Sequence, residues 1–196
     1  MKITIYGASS EKIDKKYMKV VEAFGEHMAK RNHSLVFGWG AHGLMGAAAR
    51  GVRKGGGYIH GVIPKFFEEN GYKAIYYDAD KITWTKTMAE RKETMESDCD
   101  AFVVVPGGVG TFEEFFQILS LKQLCQLDKP IVLYNIDGYY DNLYKFLEDT
   151  VEHKFMKEYY LDLFKMCSRE DEIFEYIENY YQDENRVKYE FKKSDD

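Results

Sequence analysis

A run of small residues followed by two carboxylates is the strongest chemical signal in the sequence. The run reads Pro106-Gly107-Gly108-Val109-Gly110-Thr111 and directly follows the apolar stretch 102–105. Three glycines within four residues remove side chains where the chain turns. Backbone N–H groups and the start of the helix predicted next can then hold an anion together. Thr111 is expected to cap that helix or to bond the anion through its hydroxyl.

The two carboxylates, Glu113 and Glu114, lie in the first part of the predicted helix. Acidic residues there favour the helix dipole, which accounts for one of them. Successive helical positions point about 100° apart, so the two side chains cannot face one ligand together. Glu114 heads an apolar stripe with Ile118 and Leu121 and is expected at the mouth of a partly dry cleft. A carboxylate placed there acts as a base or stabilises a cation, whereas Glu113 is expected to stay closer to solvent.

A basic pair, Arg91-Lys92, lies on the helix predicted before the stretch at 101–105, with Met88 and Met95 as apolar neighbours. A solvated helix face is the ordinary explanation of such a pair. A contact to an anionic ligand is the alternative. The pattern alone leaves both readings open.

Two other loops are rich in small residues. Gly7-Ala8-Ser9-Ser10 follows the first predicted strand, and its serine hydroxyls suit either a phosphate or a plain tight turn. The stretch 38–43 formally matches GxGxxG. It follows the second strand rather than the first, and no acidic residue ends the next strand, so a standard dinucleotide fingerprint is rejected. This loop can still admit a ligand, and His42 within it suits a ligand contact or ordinary polar surface.

Short apolar runs alternate with helical patterns along the chain. A helical stripe from Ile13 to Met28 separates the first two runs. Such alternation predicts the α/β class, a Rossmann-like doubly wound parallel sheet with helices on both faces, in a single domain over 1–181. The predicted strands are Ile3–Tyr6, Leu35–Phe37, Tyr58–Ile63, Ala74–Tyr77, Ala101–Val105 and Ile131–Tyr134.

Composition narrows the class of protein. The chain has 196 residues, 45% of them hydrophobic and 31% charged, which suits one globular domain. A net charge of -6 offers no general attraction to nucleic acid or to anionic membranes. Three dispersed cysteines suggest neither disulfides nor a zinc site, and no apolar run is long enough to span a membrane. A cytoplasmic location is expected, with a polar tail over 182–196 and no metal or cofactor.

These motifs resemble the Lonely guy family, the phosphoribohydrolases that activate cytokinins and that formerly carried the label "possible lysine decarboxylase". Its hallmark PGGxGTxxE is present at 106–114. The upstream Arg-Lys pair and a Gly-Leu-Met-Gly run at 43–46 also match, as do Gly-Val-Ile-Pro at 61–64 and Asn-Ile-Asp-Gly-Tyr-Tyr at 135–140. The similarity extends over about residues 1–180.

The resemblance implies a hydrolase that splits an adenine-type nucleoside 5′-monophosphate into free base and ribose 5-phosphate. It also implies a homodimer, with Arg91 and Glu114 as catalytic residues. The substrate-binding residues that we expect are Gly7, Ser9, Gly38, Gly40, Gly43, Met88, Lys92, Pro106, Gly107, Gly108, Val109, Gly110, Thr111 and Glu113.

Departures from the family pattern fall mainly around the second loop. Trp39 replaces the middle one of three glycines, and Ala41 replaces a serine. Ala89 and Lys122 stand where the family often has histidine and tryptophan. Trp39 is expected either to narrow the pocket or to stack on a base. The base, with or without an N6-isoprenyl group, is therefore less defined than the reaction.

The hypothesis that follows puts the 5′-phosphate on the 107–110 amides and the ribose beside Glu114. Glycosidic cleavage passes through a cationic sugar, which Glu114 stabilises or attacks with an activated water. Arg91 either orients Glu114 or binds the phosphate. A nucleotide-binding module without catalysis is the alternative function. Decarboxylation with pyridoxal phosphate is disfavoured because no lysine stands out as its Schiff-base partner.

Overall fold

One seven-stranded sheet organises the part of the chain that the structure, a computed structural model, describes: residues 1–71 and 73–181. The predicted tail at 182–196 lies outside these residues. The strands are β1 Lys2–Tyr6, β2 Ser34–Phe37, β3 Ile59–Pro64, β4 Lys81–Thr85, β5 Ala101–Val104, β6 Ile131–Tyr134 and β7 Lys165–Cys167. The helices are α1 Lys15–Lys30, α2 Gly43–Lys54, α3 Lys65–Glu69, α4 Met88–Ser97, α5 Val109–Gln123, α6 Asp141–Glu152 and α7 Glu170–Glu178. Two 3-10 turns span Ile136–Gly138 and Glu158–Leu163.

The strand order is β4-β3-β2-β1-β5-β6-β7, and every pairing is parallel. Strand β1 lies at the centre, with Ile3 opposite Leu35 on one side and opposite Ala101 on the other. The chain runs outward to β4, returns to the centre at β5 and then runs outward to β7. The direction of winding therefore reverses between β1 and β5. In open parallel sheets, the loops that leave the strands at such a point diverge and make a crevice.

Helices cover both faces of the sheet, which confirms the predicted doubly wound α/β class. Alternate strand residues face opposite ways, so Ile3 and Ile5 pack under α1, α2 and α7, while Tyr6 and Phe102 pack under α4, α5 and α6. Two separate apolar cores result, one on each face. Strand β5 is buried along its whole length, as an apolar run without alternation predicts.

The prediction of a strand at Ala74–Tyr77 is wrong. This segment makes an isolated antiparallel bridge, Ile75 to Gly40, and the fourth strand is Lys81–Thr85. The apolar signal at 74–77 comes from burial without a ladder, because Ile75 belongs to the core and the Tyr76 N–H donates to the Trp39 carbonyl at 3.1 Å. Strand β7 was not predicted, since its three residues at the sheet edge carry too short a pattern.

In the described parts of the chain, no helix combines the length and the apolar character that crossing a membrane requires.

Candidate functional site

A cavity of about 430 Å³ opens where the sheet changes its winding direction, above the carboxyl ends of β1 and β5. Its volume falls within the range of small-molecule sites. Residues from five loops and helix starts meet here because parallel strands bring their ends to one edge. The lining consists of Gly7, Ala8, Ser9, Ser10, Gly38, Gly40, Met45, Ile63, Phe67, Met88, Arg91, Gly108, Gly110, Thr111 and Glu114.

The start of α5 forms one wall of this cavity. Gly108 is the N-cap and supplies no capping side chain, so the first amides of the helix are left for another acceptor. A Cβ added to Gly108 or to Gly110 would meet no protein atom within 4 Å. Packing therefore does not explain these two glycines. They keep open the space in which an anion can approach the amides and the positive end of the helix dipole.

Thr111 lies at the third helical position and is buried. Of the two roles expected for Thr111, that of N-cap is wrong, because the N-cap is Gly108 and the helix begins at Val109, three residues earlier than a helix capped by Thr111 would. Its side chain packs against the neighbouring turn instead: a Cβ on Gly107 would lie 2.0 Å from Thr111 Oγ1. Thr111 also lines the cavity, which leaves its hydroxyl available as a ligand contact.

The Arg91 and Glu114 side chains meet inside the cavity. Arg91 Nη1 donates to Glu114 Oε1 at 3.0 Å, and the two side chains are only 8% and 10% exposed. Arg91 comes from α4 and Glu114 from the buried face of α5, so the pair joins these two helices. Burial raises the pKa of Glu114 above its ordinary value, and the charge and hydrogen bond of Arg91 offset part of that rise.

Gly38 makes room for the guanidinium group. A Cβ at this position would lie 1.7 Å from Arg91 Nη2 and 2.8 Å from its Cζ. The planar group therefore lies directly against the backbone at the end of β2. A side chain at position 38 and Arg91 in this position exclude each other.

Six of the predicted site residues do not line the cavity: Gly43, Lys92, Pro106, Gly107, Val109 and Glu113. The Lys92 ammonium pairs with the Glu113 carboxylate across α4 and α5, and the Glu113 side chain is 52% exposed, in agreement with its predicted closeness to solvent. Val109 is 85% exposed. Gly43 adopts φ +57 and lies so close to the Ala8 carbonyl that a Cβ would be 2.5 Å from it.

Sequence reasoning missed the lining residues Met45, Ile63 and Phe67, and it named Ala8 and Ser10 only as parts of the first small-residue loop. The apolar wall of the cavity consists of Met45, Ile63, Phe67 and Met88. Ile63 stands at the carboxyl end of β3, and the rule that ligands sit at strand ends would have found it. No local pattern singles out Phe67, which reaches the cavity from the short helix α3.

Trp39 takes neither of the roles considered for it. It is 1% exposed, its indole N–H donates to the Tyr76 carbonyl, and its ring packs at 5.1 Å from that of Trp84. Gly61 provides the space for it, since a Cβ there would lie 2.7 Å from Trp39 Cγ. Trp39 therefore cannot stack on a ligand base. His42 is likewise away from the cavity lining, and its Nδ1 contacts the Glu11 carboxylate.

Comparisons with known proteins bear on the family and on the fold. The family model described as "Possible lysine decarboxylase" matches residues 45–177. A cytokinin riboside 5′-monophosphate phosphoribohydrolase of Arabidopsis thaliana is 31% identical over 186 residues, which cover 95% of this chain and 86% of that protein. A probable enzyme of the same name from Oryza sativa subsp. japonica is 32% identical over 179 residues, covering 91% of this chain and 71% of the relative.

Among solved structures, the molybdenum cofactor carrier protein of Chlamydomonas reinhardtii superposes with a TM-score of 0.68 at 20% identity. The match covers 90% of this chain and 95% of that protein. The molybdenum cofactor binding protein of Rippkaea orientalis gives the same TM-score at 20% identity, with 90% and 94% covered. At this level of identity, the likeness supports the fold alone.

Proposed function

The chain belongs to the Lonely guy family, and on that premise we propose that it hydrolyses the N-glycosidic bond of a purine nucleoside 5′-monophosphate. The products are the free base and ribose 5-phosphate. The observation that carries the proposal is the Arg91–Glu114 pair, buried in the same cavity as the uncapped start of α5. An anion site and a carboxylate within one cavity suit a substrate with a phosphate at one end of its ribose and a bond to be cut at the other.

The 5′-phosphate binds at the start of α5, where the amides and the helix dipole provide a local positive potential. That local source is needed because the net charge of the protein is -6. Gly108 and Gly110 keep the site open, and Thr111 supplies a hydroxyl. The phosphate thereby fixes the ribose, so that remote binding energy positions the bond that reacts.

The base lies along the apolar wall of Met45, Ile63, Phe67 and Met88. An adenine-type ring buries its faces well against methionine and aliphatic side chains. An isoprenyl group on N6 would add apolar contact with the same wall. We therefore expect bases with and without this group to enter the cavity, and the rates of base release from a panel of substrates rank them.

Glu114 acts on the sugar. As the C1′–N9 bond breaks, positive charge develops on the ribose ring, and an ionised carboxylate beside it lowers the energy of that state. Glu114 then accepts a proton from the water whose oxygen bonds to C1′, while the departing base takes up a proton from solvent. The hydrogen bond between Arg91 and Glu114 favours an orienting role for Arg91, which also keeps the buried carboxylate ionised.

The test is release of free base from a panel of nucleoside 5′-monophosphates, with the parent nucleosides as controls that lack the phosphate. We expect adenosine 5′-monophosphate or its N6-isoprenyl derivative to be cleaved, and the nucleosides to be poor substrates. Glu114→Gln keeps the shape of the side chain and should abolish turnover while binding persists. Nucleotide binding by the unaltered protein without release of any base would instead identify a non-catalytic nucleotide-binding module.

We also propose a homodimer. Val109, Phe116 and Leu124 recur along one side of α5 and are 85%, 37% and 51% exposed, and Met88 at the cavity rim is 40% exposed. An apolar helix face beside a binding site is typical of a subunit contact. Light scattering should give twice the mass of one chain, and Phe116→Glu should give the mass of one chain.

The three free cysteines suit a reducing compartment, which supports a cytoplasmic location.

A further inference from the structure

In the loop that leads into α5, four successive backbone carbonyl groups each accept a hydrogen bond from another group of the protein. Two of these donors are backbone amides, and two are hydroxyl groups of adjacent tyrosines on the turn after β6. The bonds are Tyr140 Oη to the Val105 carbonyl at 2.8 Å, the Ala8 amide to Pro106 at 3.1 Å, Tyr139 Oη to Gly107 at 2.6 Å and the Phe112 amide to Gly108 at 3.0 Å.

The fate of these carbonyls matters because a carbonyl oxygen repels an anion as strongly as an amide attracts it. In a trans peptide, the C=O of one residue and the N–H of the next point in opposite directions. Holding the Gly107 oxygen on the Tyr139 hydroxyl therefore aims the Gly108 N–H the other way. Gly108 lines the cavity, and nothing occupies the space where its Cβ would stand.

A glycine pair makes this peptide especially free to rotate, since neither Gly107 nor Gly108 has a side chain to restrict φ and ψ. A rotated 107–108 peptide would present an oxygen to the cavity and cancel part of the anion site. The Tyr139 hydroxyl is the group that opposes that rotation. The bond to Gly107 joins residues 32 apart in sequence, so it depends on the fold and not on local preference.

The turn that carries the tyrosines is itself fixed. Asn135 Oδ1 accepts from the Tyr140 N–H at 2.7 Å, and Asn135 Nδ2 donates to Asp141 Oδ1 at 2.7 Å. Asn135 is 5% exposed, and its bond to the Tyr140 amide is buried. The Tyr139 and Tyr140 rings pack edge to face with their centroids 5.1 Å apart. The hydroxyl positions are therefore set before any ligand arrives.

We propose that Tyr139 is a positioning residue for the phosphate group: its hydroxyl holds the Gly107 carbonyl away from the cavity, so that the loop presents amides to the anion. The inference rests on the proposed function for the identity of the anion. Tyr139 is 40% exposed, and core packing therefore gives little reason for its hydroxyl. Tyr140 supports the preceding carbonyl in the same way, but it is 1% exposed and its loss would disturb the core.

The variant that tests this is Tyr139→Phe, which removes one oxygen and keeps the ring. Three quantities are measured: KM and kcat for adenosine 5′-monophosphate, the inhibition constant of inorganic phosphate, and the inhibition constant of adenosine, which lacks the phosphate. One hydrogen bond has a net value of about 0.5–1.5 kcal/mol, so we expect KM and the phosphate inhibition constant to rise about 2- to 10-fold. The adenosine constant should stay unchanged, and kcat should change less than KM.

Tyr160→Phe is the matched control. Tyr160 Oη accepts a hydrogen bond from Gln123 Nε2 at 2.9 Å, so this variant also removes a tyrosine hydroxyl that contacts α5, but at the far end of that helix. It should leave all three quantities at wild-type values. Unchanged phosphate inhibition in Tyr139→Phe would overturn the inference, and so would equal losses of phosphate and adenosine affinity.

The two proposals fail in different ways. Absence of base release by the wild-type protein would overturn the proposed function together with this role of Tyr139. Normal wild-type activity with an unaffected Tyr139→Phe variant would overturn the inference alone.

Discussion

A substitution at Gly110 should change catalysis and stability in opposite directions, which makes it the clearest test of the proposed phosphate site. It lies in the first turn of α5 and lines the cavity, and beyond its own turn of backbone no atom lies within 4 Å of the place where a Cβ would stand. Gly110→Ala therefore adds a methyl group to open space at the cavity lining, where it meets no side chain of the protein. Glycine destabilises a helix relative to alanine. Because packing does not require glycine at position 110, we attribute this glycine to the function of the cavity.

The effect on folding should be favourable. Alanine is preferred to glycine inside helices by up to about 1 kcal/mol, and less than that in a first turn. It also restricts the unfolded chain, with a gain of about 0.4–1 kcal/mol where the native backbone suits it. We therefore expect Tm to stay the same or to rise by about 2–4 °C, the shift that corresponds to 1 kcal/mol in a chain of this size.

The effect on catalysis should be the opposite. A methyl group in the phosphate site pushes the phosphate back by about the width of a C–C bond, and a misplacement of about 1 Å can cost roughly 100-fold in rate. The measurement is kcat/KM for adenosine 5′-monophosphate together with a thermal melt of the same sample. Ser120→Ala, near the other end of α5 and exposed, is the control for a more helix-prone residue in the same helix.

Wild-type kcat/KM in Gly110→Ala would refute the placement of the phosphate at the start of α5. A loss of activity accompanied by a lower Tm would refute the premise that the space beside Gly110 is open. Only a loss of activity at equal or higher Tm agrees with the structure.

Four further predictions concern Gly38, Glu114 and Trp39. Gly38→Ala puts a Cβ 1.7 Å from Arg91 Nη2 and should displace the guanidinium, lowering kcat about 100-fold; full activity would disprove the close packing. In the wild type, burial raises the pKa of Glu114, so the acid limb of the kcat/KM profile should lie above the ordinary pKa of glutamate. Arg91→Met removes the charge that lowers this pKa and should move the acid limb to still higher pH. Because the pKa of Glu114 is higher in the folded protein than in the unfolded chain, Glu114 stabilises the fold most when it is protonated, below its pKa in the unfolded chain. This contribution to the free energy of unfolding is lost as pH rises through the pKa of Glu114 in the folded protein, and unfolding measured against pH tests it. Trp39→Ala should lower the free energy of unfolding by about 3–5 kcal/mol and leave the ranking of bases unchanged; a changed ranking would place the indole in the base site after all.

The sequence by itself determined the chemistry that is available and much of the layout. The hallmark at 106–114 predicts an anion site at a helix start because glycine spacing and helix termini are local properties of the chain. The same is true of the parallel sheet, since alternating apolar runs and helical stripes have few other ways to bury both faces. The edge strand at 81–85 was not predicted, because the neighbouring segment at 74–77 has the stronger apolar pattern.

Only the tertiary structure decided which of these residues share the cavity. Arg91 and Glu114 meet because β1 and β5 are neighbours and set α4 beside α5, whereas Lys92 turns to Glu113. The strand order and register also bury Trp39. Such contacts join residues tens of positions apart, and their geometry depends on strand order and helix crossing, which no local pattern encodes.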